Sequence, residues 1–249
     1  MSERAQARAH PVESGSSAPA RPLQNEILSR IPSAELAILL EHAQEIHCRS
    51  RDEMFEAGSV IDRVYFPQTG MASLVIVLED GTTVEALTVG REGFTGVPLL
   101  NAVTTARYKG ICQVEGRFLE LSAETFLSII DRLPDLSRRL HRYAQYASDV
   151  AAQSAACNGV HRLEQRCARW LLVTSDAIGS TTFNLTQEFL SQMLAVRWPG
   201  VTVAMASLAK KELISYRYRQ VTLVDVPGLK ETTCECYATI RGRAEELLA

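Results

Sequence analysis

Between Leu133 and Cys157 the residues Leu133, Leu136, Leu140, Tyr143, Ala147, Val150, Ser154 and Cys157 recur at spacings of 3-4-3-4-3-4-3. This is the a/d repeat of a helix with one continuous seam, and no strand period accommodates it. Pro134 suits the first turn and Asn158-Gly159 can end the helix. About 24 residues at ~1.5 Å each make a rod of roughly 36 Å, longer than one small domain covers. The seam predicts pairing with a second copy through Leu133, Leu136, Leu140, Tyr143, Ala147 and Val150. A helix packed along its own domain is the other reading.

The two flanks of this rod differ in texture. Residues 1–22 are small, polar and Pro-containing, and predict an arm without a core of its own. A short helix is expected over 33–45, with Ser33 as N-cap and Leu36, Leu39, Leu40 and Ala43 on one face. From about 46 to 121 the runs Val64-Tyr65-Phe66, Ala72–Leu78, Thr82–Val89, Gly110–Val114 and Phe118–Leu121 read as short strands. Asp80-Gly81 supplies the positive φ of a tight hairpin between two of them. Strands at this spacing predict an antiparallel roll.

After the rod the pattern is helix, helix, helix, hairpin. Val160–Thr174 is amphipathic around Leu163, Cys167, Trp170 and Leu171. Thr186 is a suitable N-cap for Gln187–Leu194, and Pro199 suits the first turn of a helix running to about Lys211. Phe189, Leu190 and Leu194 can pack on Val201, Met205 and Leu208 across a turn of about four residues, the helix-turn-helix arrangement. Leu213–Leu223 then alternates through a tight turn bearing Arg217 and Arg219, and reads as a wing. The second helix is narrow enough for the DNA major groove, while Thr186, Gln187, Arg197, Lys210, Arg217 and Arg219 can hold phosphates. Trp198, Thr202, Val203 and Ser207 fall on its base-reading side.

Charge agrees with that division. Residues 23–120 hold 8 Lys/Arg against 14 Asp/Glu, net −6, whereas 161–222 hold 8 against 4, net +4. The second half therefore suits an anionic partner. Six cysteines in 249 residues are too sparse for a disulfide scaffold, no apolar run is long enough to span a membrane, and no signal-peptide core is present. A cytoplasmic protein without membrane contact is expected. The chain carries no G-x-S-x-G, Walker A, H-E-x-x-H or Rossmann fingerprint, so no enzyme is expected.

In this order, the roll, long helix and winged helix resemble the Crp/Fnr transcription regulators over about residues 23–227. The most specific stretch is Leu185-Thr186-Gln187-Glu188-Phe189-Leu190 with Val201-Thr202, Leu208 and Leu213-Ile214. Val64-Tyr65-Phe66, Gly70, Asp80-Gly81 and Val89-Gly90 follow the family's cyclic-nucleotide fold, and Cys157-Asn158, Glu164-Gln165-Arg166 and Ala168-Arg169-Trp170-Leu171 are similar to a proteobacterial branch. The resemblance implies an α+β chain: an arm (1–22), a cyclic-nucleotide-binding-like β-roll or double-stranded β-helix (23–132), and a dimerisation helix (133–158). A winged helix-turn-helix (159–227) and a C-terminal helix (228–249) follow. It implies a homodimeric bacterial regulator on double-stranded DNA with an inverted-repeat operator, and RNA polymerase as a further partner for an activator.

Departures narrow the expectation. The family's phosphate cassette has Gly-Glu early and Arg before a small residue later; here the corresponding residues are Gly96, Val97, Thr105, Ala106 and Arg107. Val97 replaces the Glu and Ala106 the Arg, while Arg107 is one place off and turned to the other strand face. No cAMP or cGMP binding at micromolar levels is expected, and the effector is unassigned. No cysteine precedes Cys48, which argues against the family's N-terminal iron–sulfur cluster. The histidines show no paired ligand spacing, which argues against haem or a metal, and Cys234-Glu235-Cys236 reads as a buried helix face beside Tyr237 and Ile240. Trp198, Pro199 and Val203 stand where relatives carry base-reading Arg and Glu, so readout rests more on DNA shape. Ala195 replaces a Gly common in the turn, which requires a negative φ there. A protein-interaction module with a decayed DNA face is the competing function.

Overall fold

The computed structural model describes His10–Pro11 and residues 22–249. One unit comprises the chain up to Leu74 together with Val89–Ala144; the other comprises Val75–Thr88 together with Gln145–Ala249. The arm expected over 1–22 lies outside the described residues except for Pro22 and the two-residue strand β1 (His10–Pro11). No helix among the described residues is long and apolar enough to cross a membrane.

The first helix, α1 (Ser33–Leu40), is shorter than expected. Pro32 occupies its N-cap position, no side chain caps it, and Ser33 is its first residue. Leu39 is buried but Leu40 is exposed. The chain then switches period: Ile46 and Cys48 are buried and their neighbours are not, which makes Gln44–Cys48 a strand (β2). The strands β3 (Glu53–Phe55), β4 (Arg63–Pro67), β5 (Met71–Val77), β6 (Thr83–Val89), β7 (Lys109–Val114) and β8 (Gly116–Ser122) complete two four-stranded sheets. Their orders are β1-β2-β8-β4 and β3-β7-β5-β6. The first is antiparallel in a register that sets Ile46 opposite Phe118 and Phe66 opposite Leu119.

The expected hairpin joins β5 to β6. Gly81 takes φ +82°, its N–H donates to the Leu78 carbonyl (2.9 Å), and the Leu78 N–H donates to the Thr82 carbonyl (2.9 Å). Asp80 closes the loop by accepting from the Thr82 N–H at 2.9 Å. A left-handed residue at the end of a three-residue loop is where glycine costs least.

The rod is α3 (Pro134–Val160), preceded by α2 (Ala123–Ile130). It runs through Asn158-Gly159, which do not stop it. Glu35, buried on α1, accepts from the N–H groups of Asp135 (3.1 Å) and Leu136 (2.9 Å), placing an anion on two orphan donors at the start of α3. The seam points inward. Leu133, Leu136, Leu140 and Tyr143, expected to meet a second chain, are fully buried within this one. Phe94 stacks on Phe66 (centroids 5.4 Å apart) and tilts against Phe126 and Tyr143 (both 5.9 Å), so the apolar side of the rod is spent on its own roll. Ala147 and Val150 are also buried.

The second unit continues with α4 (Leu163–Ile178), β9 (Thr182–Asn184), α5 (Gln187–Met193), α6 (Trp198–Lys210), β10 (Ile214–Arg217) and β11 (Gln220–Leu223). Two helices, α7 (Val226–Thr232) and α8 (Cys236–Leu248), stand where one C-terminal helix was expected.

Candidate nucleic-acid interface

Local chemistry builds the helix pair. The Thr186 hydroxyl accepts from the Phe189 N–H (3.1 Å) and starts α5, and Pro199 lies in the first turn of α6. Phe189, Leu190 and Leu194 are buried, as are Val201, Met205 and Leu208, so the packing expected across the turn is present. α4 begins at Leu163 rather than Val160 and ends at Gly179, whose φ is +67°. Trp170 on α4 donates its ring N–H to Glu85 (3.1 Å).

The turn corrects one expectation. Ala195 sits at φ +51°, not at a negative φ. Its N–H donates to the Gln192 carbonyl (3.1 Å) and the Val196 N–H to the Ser191 carbonyl (3.0 Å), the left-handed stop that normally takes glycine. A side chain there costs about 1 kcal/mol. The buried Arg166 of α4 clamps this turn: its Nη2 donates to the Leu194 carbonyl (2.5 Å) and its Nε to Asn158 Oδ1 (3.1 Å).

On α6 the exposed face is Trp198, Pro199, Thr202, Val203, Ala206 and Lys210, with Trp198 59% and Val203 71% exposed. Thr202 donates to Gln187 Oε1 (2.8 Å), which joins the two helices' outer faces and fixes the Gln187 amide. Ser207 is not on this face. Its hydroxyl donates to Glu164 Oε1 on α4 (2.8 Å), because position 207 lies about 100° around the helix from 206. Ala206, missed from sequence, takes its place. Glu164 also engages Lys211 (2.7 Å), and these bonds hold its carboxyl below the usual carboxylate range.

The wing is a three-stranded sheet, β10-β11-β9, whose third strand the sequence did not reveal. Arg217 faces Gln220 across a two-residue turn in which Tyr218 (φ +48°) and Arg219 (φ +67°) are both left-handed. The backbone geometry is the tight hairpin turn that favours Asn-Gly, occupied here by a fully exposed Tyr and an Arg. The Arg219 carbonyl accepts from the Leu185 N–H (2.7 Å), and Tyr216 Oη donates to the Leu185 carbonyl (3.1 Å). The wing tip is thereby tied to the start of α5, bringing Arg217 and Arg219 beside Thr186 and Gln187. Arg197, Lys210, Arg217 and Arg219 are exposed, and none pairs with a carboxylate among the described residues.

The cassette residues do not converge in this way. Gly96 is buried and opens a short 3-10 turn, Val97–Asn101, in which Pro98 has no N–H to offer. Thr105 is exposed and bridges Val60, whereas Ala106 is buried with its N–H on the Ser59 carbonyl (2.8 Å) and its carbonyl taken by the Gly58 N–H (2.8 Å). Arg107 is exposed, on the side away from Ala106, as the one-residue offset requires.

The cysteine pair is buried as expected, but not as one helix face. Cys234 precedes α8 and Cys236 opens it, so the two are not fixed on opposite sides of a helix. Both are buried against Cys157, and Tyr237 and Ile240 are buried nearby in sequence. His161, expected to be an ordinary structural histidine, lies with its Nδ1 3.6 Å from Cys236 Sγ.

Residues 165–232 match the family model of the Crp-like helix-turn-helix domain. The transcriptional regulatory protein btr of Bordetella pertussis is 25% identical over 217 residues, covering 81% of this chain and 86% of that protein. Among solved structures, FixK2 of Bradyrhizobium japonicum superposes with a TM-score of 0.65 at 16% identity, over 77% of this chain and 98% of that one. The c-di-GMP-responsive global regulator CLP of Xanthomonas campestris superposes with a TM-score of 0.61 at 16% identity, over 77% and 99%. Residues 165–232 are therefore a Crp-like helix-turn-helix domain, and over four-fifths of its length the chain is similar to a transcriptional regulator.

Proposed function

We propose that the protein works as a homodimer on an inverted-repeat operator, each copy laying α6 in the major groove and its wing on the flanking phosphates. The observation that carries this reading is the set of four exposed cations without carboxylate partners, Arg197, Lys210, Arg217 and Arg219, arranged around the Thr202–Val203 face. Thr202 and Gln187 can hydrogen-bond base edges or phosphates, and Val203 and Ala206 can meet thymine methyls. No guanidinium stands on that face, so selectivity rests on DNA shape more than on guanine readout. The inward turn of Leu133, Leu136, Leu140 and Tyr143 leaves dimerisation to the exposed α3 stripe of Gln145, Ser148, Ala152 and Ala155, which again follows a 3-4-3 spacing.

The roll acts without cAMP: Val97 and Ala106 remove the carboxylate and guanidinium that would hold it, and its effector is of another class or absent. Such a regulator works in the bacterial cytoplasm, and one that activates also contacts RNA polymerase.

Selection of random duplexes by the purified, ligand-free protein tests the reading. An inverted repeat with half-sites about one helical turn apart is expected. The double variant Arg217→Ala plus Arg219→Ala should weaken binding alike on all duplexes and flatten the log-affinity dependence on log salt by about 0.9 per lost contact. A folded dimer that enriches no sequence and shows no salt-dependent binding leaves the interaction-module reading in its place.

A further inference from the structure

At the junction of α3, α4 and α8, four side chains that the DNA-binding function does not use converge. Cys157 and His161 come from the end of α3 and the residue after it; Cys234 and Cys236 come from the break between α7 and α8. One ligand atom of each lies within 4.8 Å of all the others. Cys157 Sγ and Cys234 Sγ are 3.5 Å apart, and Cys236 Sγ and His161 Nδ1 are 3.6 Å apart. A tetrahedral zinc ion with Zn–S of ~2.3 Å and Zn–N of ~2.05 Å has S···S edges of about 3.8 Å and S···N edges of about 3.6 Å. We propose that Cys157, His161, Cys234 and Cys236 bind a single divalent ion of the zinc class in a tetrahedral Cys3His site.

The surroundings are those of a metal centre. The other ring nitrogen of His161, Nε2, lies 3.2 Å from Glu235 Oε1, the carboxylate–histidine pairing that fixes a ligand's tautomer. Gln153 Nε2 donates to Cys236 Sγ (3.0 Å), a bond that steadies a thiolate. Two guanidiniums stand beside Cys157, on Arg166 (8% exposed) and Arg169 (7% exposed). Neither pairs with a carboxylate among the described residues, and Arg169 Nε has no partner at all. Buried cations without counter-charge are costly. Three thiolates around a divalent ion carry a net charge of −1 and supply it. Because thiolates and not thiols bind the ion, loading the site expels protons to solvent. Four donors this close together surround one ion and not a multi-iron cluster.

The bound ion joins the end of α3 to the start of α8, and Thr233, next to Cys234, already donates to the Gln165 carbonyl on α4 (3.3 Å). Elemental analysis of the full-length protein, purified under reducing conditions, should find about one zinc per chain, falling below about a tenth of that in Cys234→Ser and Cys236→Ser. Because those variants can also unfold, the metal-stripped wild-type protein is titrated with cobalt(II). Thiolate-to-metal and tetrahedral d–d absorption should saturate at about one equivalent, and zinc should displace it. Reduced protein that takes up neither ion overturns the proposal, as does undiminished zinc in the Cys234→Ser plus Cys236→Ser double variant. A Cys157–Cys234 disulfide in a protein that binds no metal after reduction overturns it equally.

Discussion

Arg166→Met is expected to destabilise the winged unit by about 2 kcal/mol and to weaken DNA binding. Methionine fills the same slot but donates no hydrogen bond. The Leu194 carbonyl, which accepts from Arg166 at 2.5 Å, is then left dry inside the protein, and the half-buried Asn158 side chain loses its 3.1 Å partner. Leu194 is the residue before Ala195, so the lost bond falls on the turn whose left-handed geometry already carries strain. Arg166→Lys is no substitute, because an ammonium on a flexible stem does not span two acceptors in the fork geometry of a guanidinium. Ala195→Gly works in the opposite direction and should stabilise by about 0.5–1 kcal/mol through relief of the positive φ. The two sites are adjacent through Leu194, and their effects should not add. Thermal unfolding reads both, with a fall of roughly 10 °C for Arg166→Met. An unchanged melting curve and unchanged operator affinity for Arg166→Met would remove the clamp from the account.

What the sequence made legible is what neighbouring residues decide. Thr186 as a cap, Pro199 in a first turn, Asp80-Gly81 as a hairpin and the apolar contacts between α5 and α6 each depend on a few consecutive positions, and all stand in the structure. The rod was equally plain in its period, but a period names a face without naming its partner. Leu133, Leu136, Leu140 and Tyr143 cover the chain's own roll. On α6 the difference between Ser207 and Ala206 is one step of about 100°, finer than a helix placed from caps resolves. Short strands such as Gln44–Cys48 and Thr182–Asn184 owe their existence to distant partners, Gly116–Ser122 and Gln220–Leu223. The Cys/His cluster was least legible. Its two halves lie 77 residues apart in sequence at Cys157 and Cys234, and its C-x-C pair converges only because α8 starts at Cys236. Cys157 and His161, four apart, and the C-x-C pair itself were its local signals.

Gly93→Ala is expected to cost the roll unit about 2–3 kcal/mol by overpacking. A β-carbon at Gly93 falls on the ring and hydroxyl of Tyr143, well inside van der Waals contact. Neither side can retreat cheaply. The Gly93 carbonyl is held by Asn25 Nδ2 at 2.9 Å, and Tyr143 is packed against Phe94, itself stacked on Phe66. Tyr143→Leu removes the obstacle but opens a cavity, and should cost about 2–4 kcal/mol alone. In Gly93→Ala plus Tyr143→Leu the new methyl occupies part of that space, so the double variant should be more stable than the sum of the singles predicts. The contact bears on function because residues 93–97 lead directly into the Gly96–Val97 turn, while Tyr143 belongs to a helix that runs unbroken from Pro134 to Val160. Any ligand that displaces the loop must therefore move or repack Tyr143. Denaturant unfolding of the four proteins in the cycle measures the coupling; additive losses would mean that Gly93 and Tyr143 are not in contact, and that the loop is free to move without the helix.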